Sequence, residues 1–277
     1  MFKKIAVKFC GVLVCLLFVL VACNETKERQ PLQIIFTNDS HSQVEPLDAL
    51  GGFEGRAAII DSLRALNENT ILLDAGDMWQ GSTYFNMFKG RLEVEAYNLM
   101  GYNVVTLGNH EFDCGIDTLV ARIGEMDFSV VCANYDFGET PLASLIKPYV
   151  VIEQNGWRVG VIGVSINPEG LVMQSNIEGV VYEDPVEVVN CYAKLLREDL
   201  SCDYVVVLSH LGLHDDTIFN NVSDSVLIAG VSGVDIVLGG HTHQYMGVFN
   251  FVDAEGDTVP IVQEYKGGQR IYSITIQ

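Results

Sequence analysis

Positive charge is scarce in this chain. Its 277 residues hold 16 Lys and Arg against 36 Asp and Glu, a net charge of −20 at pH 7. The first 22 residues carry Lys3, Lys4 and Lys8 and no acid, so the remainder is more acidic still. Such a surface repels polyanions, which argues against a DNA- or RNA-binding role. A small anionic substrate is compatible with it only where a local cation overrides the field. Residues 32–277 also lack internal repeats, low-complexity blocks and Pro- or Ser-rich linkers. With 49% hydrophobic and 19% charged residues, the balance is globular, which excludes a disordered or collagen-like chain. Setting a short leader aside, about 250 residues remain, near the upper size for one hydrophobic core. One large α/β domain, or two small ones, is the expectation.

Long apolar runs are missing too. The N-terminal run from Phe9 to Ala22 is about 14 residues, short of the roughly 20 that span a bilayer. It follows a basic start and ends on the small Ala22, the pattern of a signal peptide over residues 1–22. The ending Leu20-Val21-Ala22-Cys23 resembles the bacterial lipobox, in which the cysteine becomes the acylated first residue. Acyl chains on Cys23 would tether an otherwise soluble protein to a membrane, placing it in the cell envelope on the periplasmic or surface side, with residues 23–31 as the lipidated cysteine and its tether. Cysteine is sparse beyond the leader: Cys10, Cys15 and Cys23 belong to it, leaving Cys114, Cys132, Cys191 and Cys202. An exported protein can oxidise four thiols in any of three pairings. Four in this length is too few for a disulfide scaffold, and Cys132 sits in the apolar SVVCANY, so buried free thiols are expected.

What the chain does have is regular alternation. QIIFTND, TILLDAGD, NVVTLGN, FSVVCAN, YVVVLSH and VDIVLGGH are short β-branched runs ending in Asn, Asp or His. Between them, residues 55–66, 90–100, 116–126 and 185–200 have helical periodicity, with Pro185 suited to a first helical position after Asp184. VVIEQNGWRVGVIGV reads as two strands joined by Asn155-Gly156. VPIVQEYKGGQRIYSITI reads as a further strand pair with a glycine-containing loop. Strands alternating with helices, plus hairpins, imply mixed sheets rather than purely parallel ones.

All six histidines lie just past such strand-like runs: His41, His110, His210, His214, His241 and His243. Asp39, Asp77 and Asn109 occupy the same kind of position. Strand exits are where an α/β sheet presents its site residues. Carboxylates, amides and imidazoles without thiolates make a hard-to-borderline metal site, suited to Mn²⁺, Zn²⁺ or Fe. Each piece alone is commonplace, since a GD after a strand is usually a turn and a terminal SH usually a cap or satisfied polar residue. The order carries more: D-x-H, GD, GNH-E, H, then GH-x-H, each after a strand.

That ordered set resembles the calcineurin-like metallophosphoesterases, and within them the 5′-nucleotidase and UDP-sugar hydrolase family. TNDSH, GGFEGRAAIID, LLDAGDMWQGS, FKG, LMGYNVVTLGNHEFDCGIDTL, VVVLSHLG and LGGHTH carry the resemblance, over residues 32–277. It implies a four-layer α/β/β/α sandwich with two mixed β-sheets. It implies two divalent metal ions, the first on Asp39, His41 and His243, the second on Asn109, His210 and His241, with Asp77 bridging. His243 stands where some relatives have glutamine. His110 and Asp113 match a His–Asp pair beside the phosphate, where Asp113 would orient His110 and raise its basicity. His214 matches no ligand, and Cys114 is read as a small packed residue.

The implied activity is 5′-nucleotidase-type release of phosphate from nucleotides. Cyclic 2′,3′-phosphodiesterase and general phosphomonoesterase activities are the alternatives within the enzyme class. A non-catalytic lipoprotein that keeps the fold as a binding module is the alternative outside it, but such a chain should have lost ligands, and every expected ligand type is present. Many relatives carry a second, C-terminal domain that binds the nucleobase between aromatic rings, and the sequence ends near Ile276, where the hydrolytic domain should end. The expectation is a hydrolytic half without the specificity half, acting on a simpler phosphoester or paired with a separate polypeptide that supplies the missing domain. Trp79 and Tyr84, near Asp77, are the nearby aromatic candidates for a base platform, with a core or rim role as their ordinary reading.

Overall fold

The computed structural model describes residues 29–47, 49–214, 222–245 and 247–277. The leader, Cys23 and most of the tether lie outside the described residues.

The chain opens with strand β1 (Leu32–Thr37), helix α1 (Gly52–Leu66), β2 (Thr70–Asp74), α2 (Thr83–Phe88), α3 (Arg91–Met100) and β3 (Val104–Thr106). There follow α4 (Gly115–Ile123), β4 (Ser129–Val131), β5 (Tyr135–Asp136), β6 (Tyr149–Gln154), β7 (Trp157–Ser165) and β8 (Val181–Tyr182). The rest is α5 (Pro185–Lys194), β9 (Tyr204–His210), α6 (Asp224–Gly230), β10 (Ile236–Gly239), β11 (Gly247–Val252), β12 (Thr258–Gln263) and β13 (Tyr272–Ile276). Local chemistry sets several of these bounds. Ser82 caps α2 by accepting from Phe85 N–H, and Asp184 caps α5 ahead of Pro185. The Asn155-Gly156 turn joins β6 to β7 in antiparallel register, Gln154 opposite Trp157.

Two mixed sheets result. One runs β13-β1-β2-β3-β4, the other β11-β12-β10-β9-β7-β6. In each the inner strands are parallel and antiparallel strands occupy edges. Side chains alternate across each strand and so divide the core into three apolar layers. Ile34 and Phe36 of β1 meet Val206 and Leu208 of β9 and Ile236 and Leu238 of β10 between the sheets. Ile35, Leu72 and Val105 face outward against Ile60 of α1, Tyr97 of α3 and Leu119 of α4. Val205, Val207 and Val237 face the opposite way, against Val189 of α5 and Leu227 of α6. The arrangement is the α/β/β/α sandwich.

Two expectations need correction. The final strand pair does not form: β12 joins the second sheet beside β10 and β11, whereas β13 crosses to the first sheet and pairs with β1. Burial decides it, because Ile261 belongs with the second sheet's helices while Ile276 closes the layer between sheets. Among the cysteines, all four described ones are free, but only Cys132 and Cys202 are buried; Cys114 is half-buried and Cys191 exposed. Among the described residues, no helix is long and apolar enough to cross a membrane.

Candidate active site

The parallel strands of both sheets end at one edge, and their exits carry the site. Asp39 and His41 follow β1, Asp77 follows β2, Asn109 and His110 follow β3, His210 ends β9, and His241 and His243 follow β10. Asp39, His41, Asp77 and His243 each offer a ligand atom within 4.8 Å of the others, and so do Asp77, His210 and His241. Asp77 belongs to both groups. His41 Nε2 and His243 Nε2 lie 2.6 Å apart, His210 Nε2 is 3.0 Å from Asp77 Oδ2, and His243 Nε2 is 3.4 Å from Asp39 Oδ1.

The ring orientations are fixed from behind. His41 Nδ1 donates to the Trp79 carbonyl at 3.2 Å and His210 Nδ1 to the Ala75 carbonyl at 2.6 Å, so each Nε2 points into the cluster. The Asp39 carboxylate accepts from the His241 backbone N–H at 3.0 Å and from Asn38 Nδ2 at 2.6 Å. The His110 backbone N–H donates to Asp77 Oδ1 at 2.9 Å. The backbone is bent to present these groups: Asp39, His41, Asp77, His241 and His243 all have left-handed φ, at 48°, 46°, 55°, 79° and 54°. Non-glycine residues adopt that region at a cost of about 1 kcal/mol or more each, and strain of this kind concentrates at functional sites.

Electrostatics match the geometry. Burial opposes ionisation of Asp77 and Asp39, yet neighbouring histidines hold both below the usual carboxylate range: His210 and His41 for Asp77, His243 and His210 for Asp39. Burial would lower His210, but Asp77 and Asp39 outweigh it and raise His210 to about 10. Burial and the His210 charge push His241 down to about 4, and burial lowers His41. In the metal-free state, then, a proton on His210 neutralises carboxylate charge that a cation would otherwise meet. The buried Asn109 Oδ1 has no hydrogen-bond partner, and the paired Nε2 atoms of His41 and His243 face each other. An orphaned acceptor and opposed imidazoles are costly without a cation and natural around one. These residues fit divalent metal.

At the rim, His110 Nδ1 and Asp113 Oδ2 are 2.9 Å apart, and the His110 ring stands edge-on to His41 at 5.3 Å between centroids. Burial lowers His110, but Asp113 and Asp77 override it and leave His110 above its ordinary value. His214 is exposed and outside both groups. Cys114 packs against the outer core layer. Trp79 is wholly buried and offers no platform, and Tyr84 is half-buried with its hydroxyl on Glu45.

Sequence reasoning missed the supports. The buried Glu111 carboxylate accepts from the backbone N–H of Asp77, Met78 and Gly108, at 3.0, 2.9 and 2.6 Å. It ties the β2 exit to the β3 exit; the E of GNHE was its signal. Burial and Asp77 push it up to about 7. The buried Asp224 bonds the Ser209 hydroxyl beside His210, and its other oxygen lies where a Cβ on Gly239 would go. No local motif marks Asp224. The rim aromatic Tyr245, two residues after His243, was also missed.

Two sheets meeting at an Asp/His edge define the class of α/β metallophosphatase-fold hydrolases. The chain belongs to the calcineurin-like phosphoesterase family, whose pattern matches residues 32–245. It is 31% identical over 265 residues to a 5′-nucleotidase of Diplobatis ommata, covering 86% of this chain and 44% of that protein. The crystal structure of a 5′-nucleotidase precursor from Thermus thermophilus superposes with a TM-score of 0.81 at 30% identity, covering 90% of this chain and 51% of that one. The calcineurin-like phosphoesterase YfkN from Bacillus subtilis gives 0.72 at 25% identity, covering 90% of this chain and 85% of that one. The chain thus spans about half the length of the 5′-nucleotidases it matches.

Proposed function

We propose that this chain releases inorganic phosphate from nucleotides, as a two-metal phosphomonoesterase of 5′-nucleotidase type. The observation that supports this most is the sharing of Asp77 between two donor groups, which suits a bridged pair of cations. Asp39, His41 and His243 would hold the first ion, Asn109 through Oδ1, His210 and His241 the second, and Asp77 both. Mn²⁺, Zn²⁺ and Fe suit these donors. Bound, such a pair supplies Lewis acidity that lowers the pKa of a water and offsets phosphoryl charge.

The chain's own residues do the rest. Asp39 and Asp77 are the two carboxylates of the donor groups, so two divalent ions leave the cluster net positive and able to receive a phosphate dianion inside an acidic protein. Asp113 holds the His110 Nδ1 proton and turns Nε2 to the mouth, where it can protonate the departing alkoxide. Glu111 keeps Asp77 and His110 in register by fixing the backbone on either side.

The protein would be exported on its leader and anchored by acylated Cys23 at the cell envelope. Replacing Cys23 by Ser should then shift it from the membrane fraction to a soluble or unprocessed form; release by high salt alone would contradict acylation. Nucleobase stacking by residues 32–277 would be weak, since Trp79 is in the core and the Tyr84 hydroxyl is held by Glu45. The test is steady-state kinetics on the purified chain with AMP, GMP, UMP, 2′,3′-cyclic AMP and p-nitrophenyl phosphate. Phosphate release from the monoesters with little discrimination among bases is expected, because a lost base-stacking contact costs about 1–3 kcal/mol. Turnover confined to the cyclic diester would overturn the monoesterase reading.

A further inference from the structure

The loop pinned to the β1 exit carries an arginine whose hydrogen-bonding edge is unused among the described residues. The Arg270 guanidinium carbon lies 4.0 Å from the centroid of the Tyr245 ring. Both side chains are exposed, and among the described residues Arg270 has no carboxylate or carbonyl partner. Glu264 is close enough to feel its charge but forms no ion pair with it.

Its position is set by topology. Tyr245 comes two residues after His243 and two before β11. Arg270 comes two residues before Tyr272, which pairs with Phe36 at the end of β1, just ahead of Asp39. The same loop is pinned to the site by the Gly267 N–H, which donates to the Asp39 carbonyl at 2.7 Å. The pair therefore joins the loop that crosses from β12 to β13, held to Asp39, to the loop between β10 and β11, which carries His243. His110 flanks the same donor group through His41.

We infer that Arg270, seated on Tyr245, binds an anionic group on the leaving side of the substrate, a phosphate attached to the phosphate being removed. The inference rests on the proposed hydrolytic function of the site. Seated over the ring, the guanidinium keeps its N–H fork free, and that planar fork is the donor set that meets phosphate oxygens. In a phosphoanhydride, a water oxygen bonds to the terminal phosphorus while the bond from that phosphorus to the bridging oxygen breaks. The leaving phosphate keeps the electron pair, and the water gives up its protons to solvent and products. Negative charge grows on the leaving phosphate during this step, so a fixed cation there assists binding and departure together.

The experiment compares wild type, Arg270→Ala, Arg270→Lys, Tyr245→Ala and Tyr245→Phe, reconstituted with Mn²⁺. Rates are measured on ADP, whose leaving group is anionic, and on p-nitrophenyl phosphate, which lacks a second phosphate. The expected result is a fall of about tenfold in the ratio of kcat/KM for ADP to that for p-nitrophenyl phosphate in Arg270→Ala, the lower range for a charge-assisted hydrogen bond at an exposed group. Arg270→Lys should recover part of the loss, Tyr245→Ala should resemble Arg270→Ala, and Tyr245→Phe should keep the ratio because the ring seats the cation. An unchanged ratio, or equal losses on both substrates, would overturn the inference and leave the pair as a latch between two loops. Calorimetric binding of the non-hydrolysable methylene analogue of ADP to wild type and Arg270→Ala decides the matter even if wild type hydrolyses neither substrate. Weaker binding to Arg270→Ala supports the subsite, equal binding removes it, and inactivity of wild type counts only against the proposed hydrolysis.

Discussion

Asp77 and His110 sit side by side, joined by a backbone hydrogen bond, yet the roles proposed for them differ. Asp77 lies in both donor groups, so Asp77→Asn should lower metal content and activity together. His110 lies in neither. His110→Ala should keep its metal, measured by elemental analysis, and lose about 10²–10⁴ in kcat, the range for a general acid–base group. Loss of metal from His110→Ala would show the roles to be misassigned. A pH effect belongs to the same scale. His210 is raised to about 10 in the metal-free protein, so at neutral pH it carries a proton that an incoming ion must displace. Asp39 and Asp77 are held below the ordinary carboxylate range and carry none. Metal affinity should therefore rise with pH, about tenfold per unit below the His210 value, with one proton released at the second donor group. Calorimetry in buffers of different ionisation enthalpy measures that proton, and its absence would contradict the assignment.

The elements show what was legible and what was not. The parallel strands and their exits read directly, because TILLDAGD and VDIVLGGH combine a buried β-branched run with a polar stop. The donor residues read with them, being fixed to strand ends by chain connectivity. The strand after the KGGQR loop did not read, because a hairpin and a crossing between sheets carry the same local signal. Tertiary burial alone sends β13 to β1. Short α2 and α6 were missed for want of a full period of pattern, although Ser82 and Ser223 cap them. Asp224 becomes visible only when loops distant in sequence come together, whereas Glu111 left a trace in the E of GNHE. Glycine carries one further element-level constraint. Gly163 of β7 faces the Val131 carbonyl and Thr106 of the opposite sheet, and a Cβ there would lie 2.7 Å from Thr106 Oγ1. Gly163→Ala should cost about 1–3 kcal/mol, the usual penalty of overpacking, read as a lower urea midpoint at unchanged slope. An unchanged midpoint would show that the sheets can separate there without penalty.

For the molecule as a whole, the acidic surface and the phosphate chemistry are reconciled only by cations. The fold brings two buried carboxylates and four imidazoles to one edge, holds five of those residues in left-handed backbone, and leaves the Asn109 side-chain oxygen unsatisfied there. The central claim is that two divalent ions complete this cluster and that hydrolysis depends on them. The most direct measurement is phosphate release from AMP by EDTA-treated, dialysed protein as Mn²⁺ or Zn²⁺ is added back, with bound metal counted in the same samples. The metal-free protein should show no turnover, and recovery should saturate at two ions per chain. Full activity in the metal-free protein would contradict the claim.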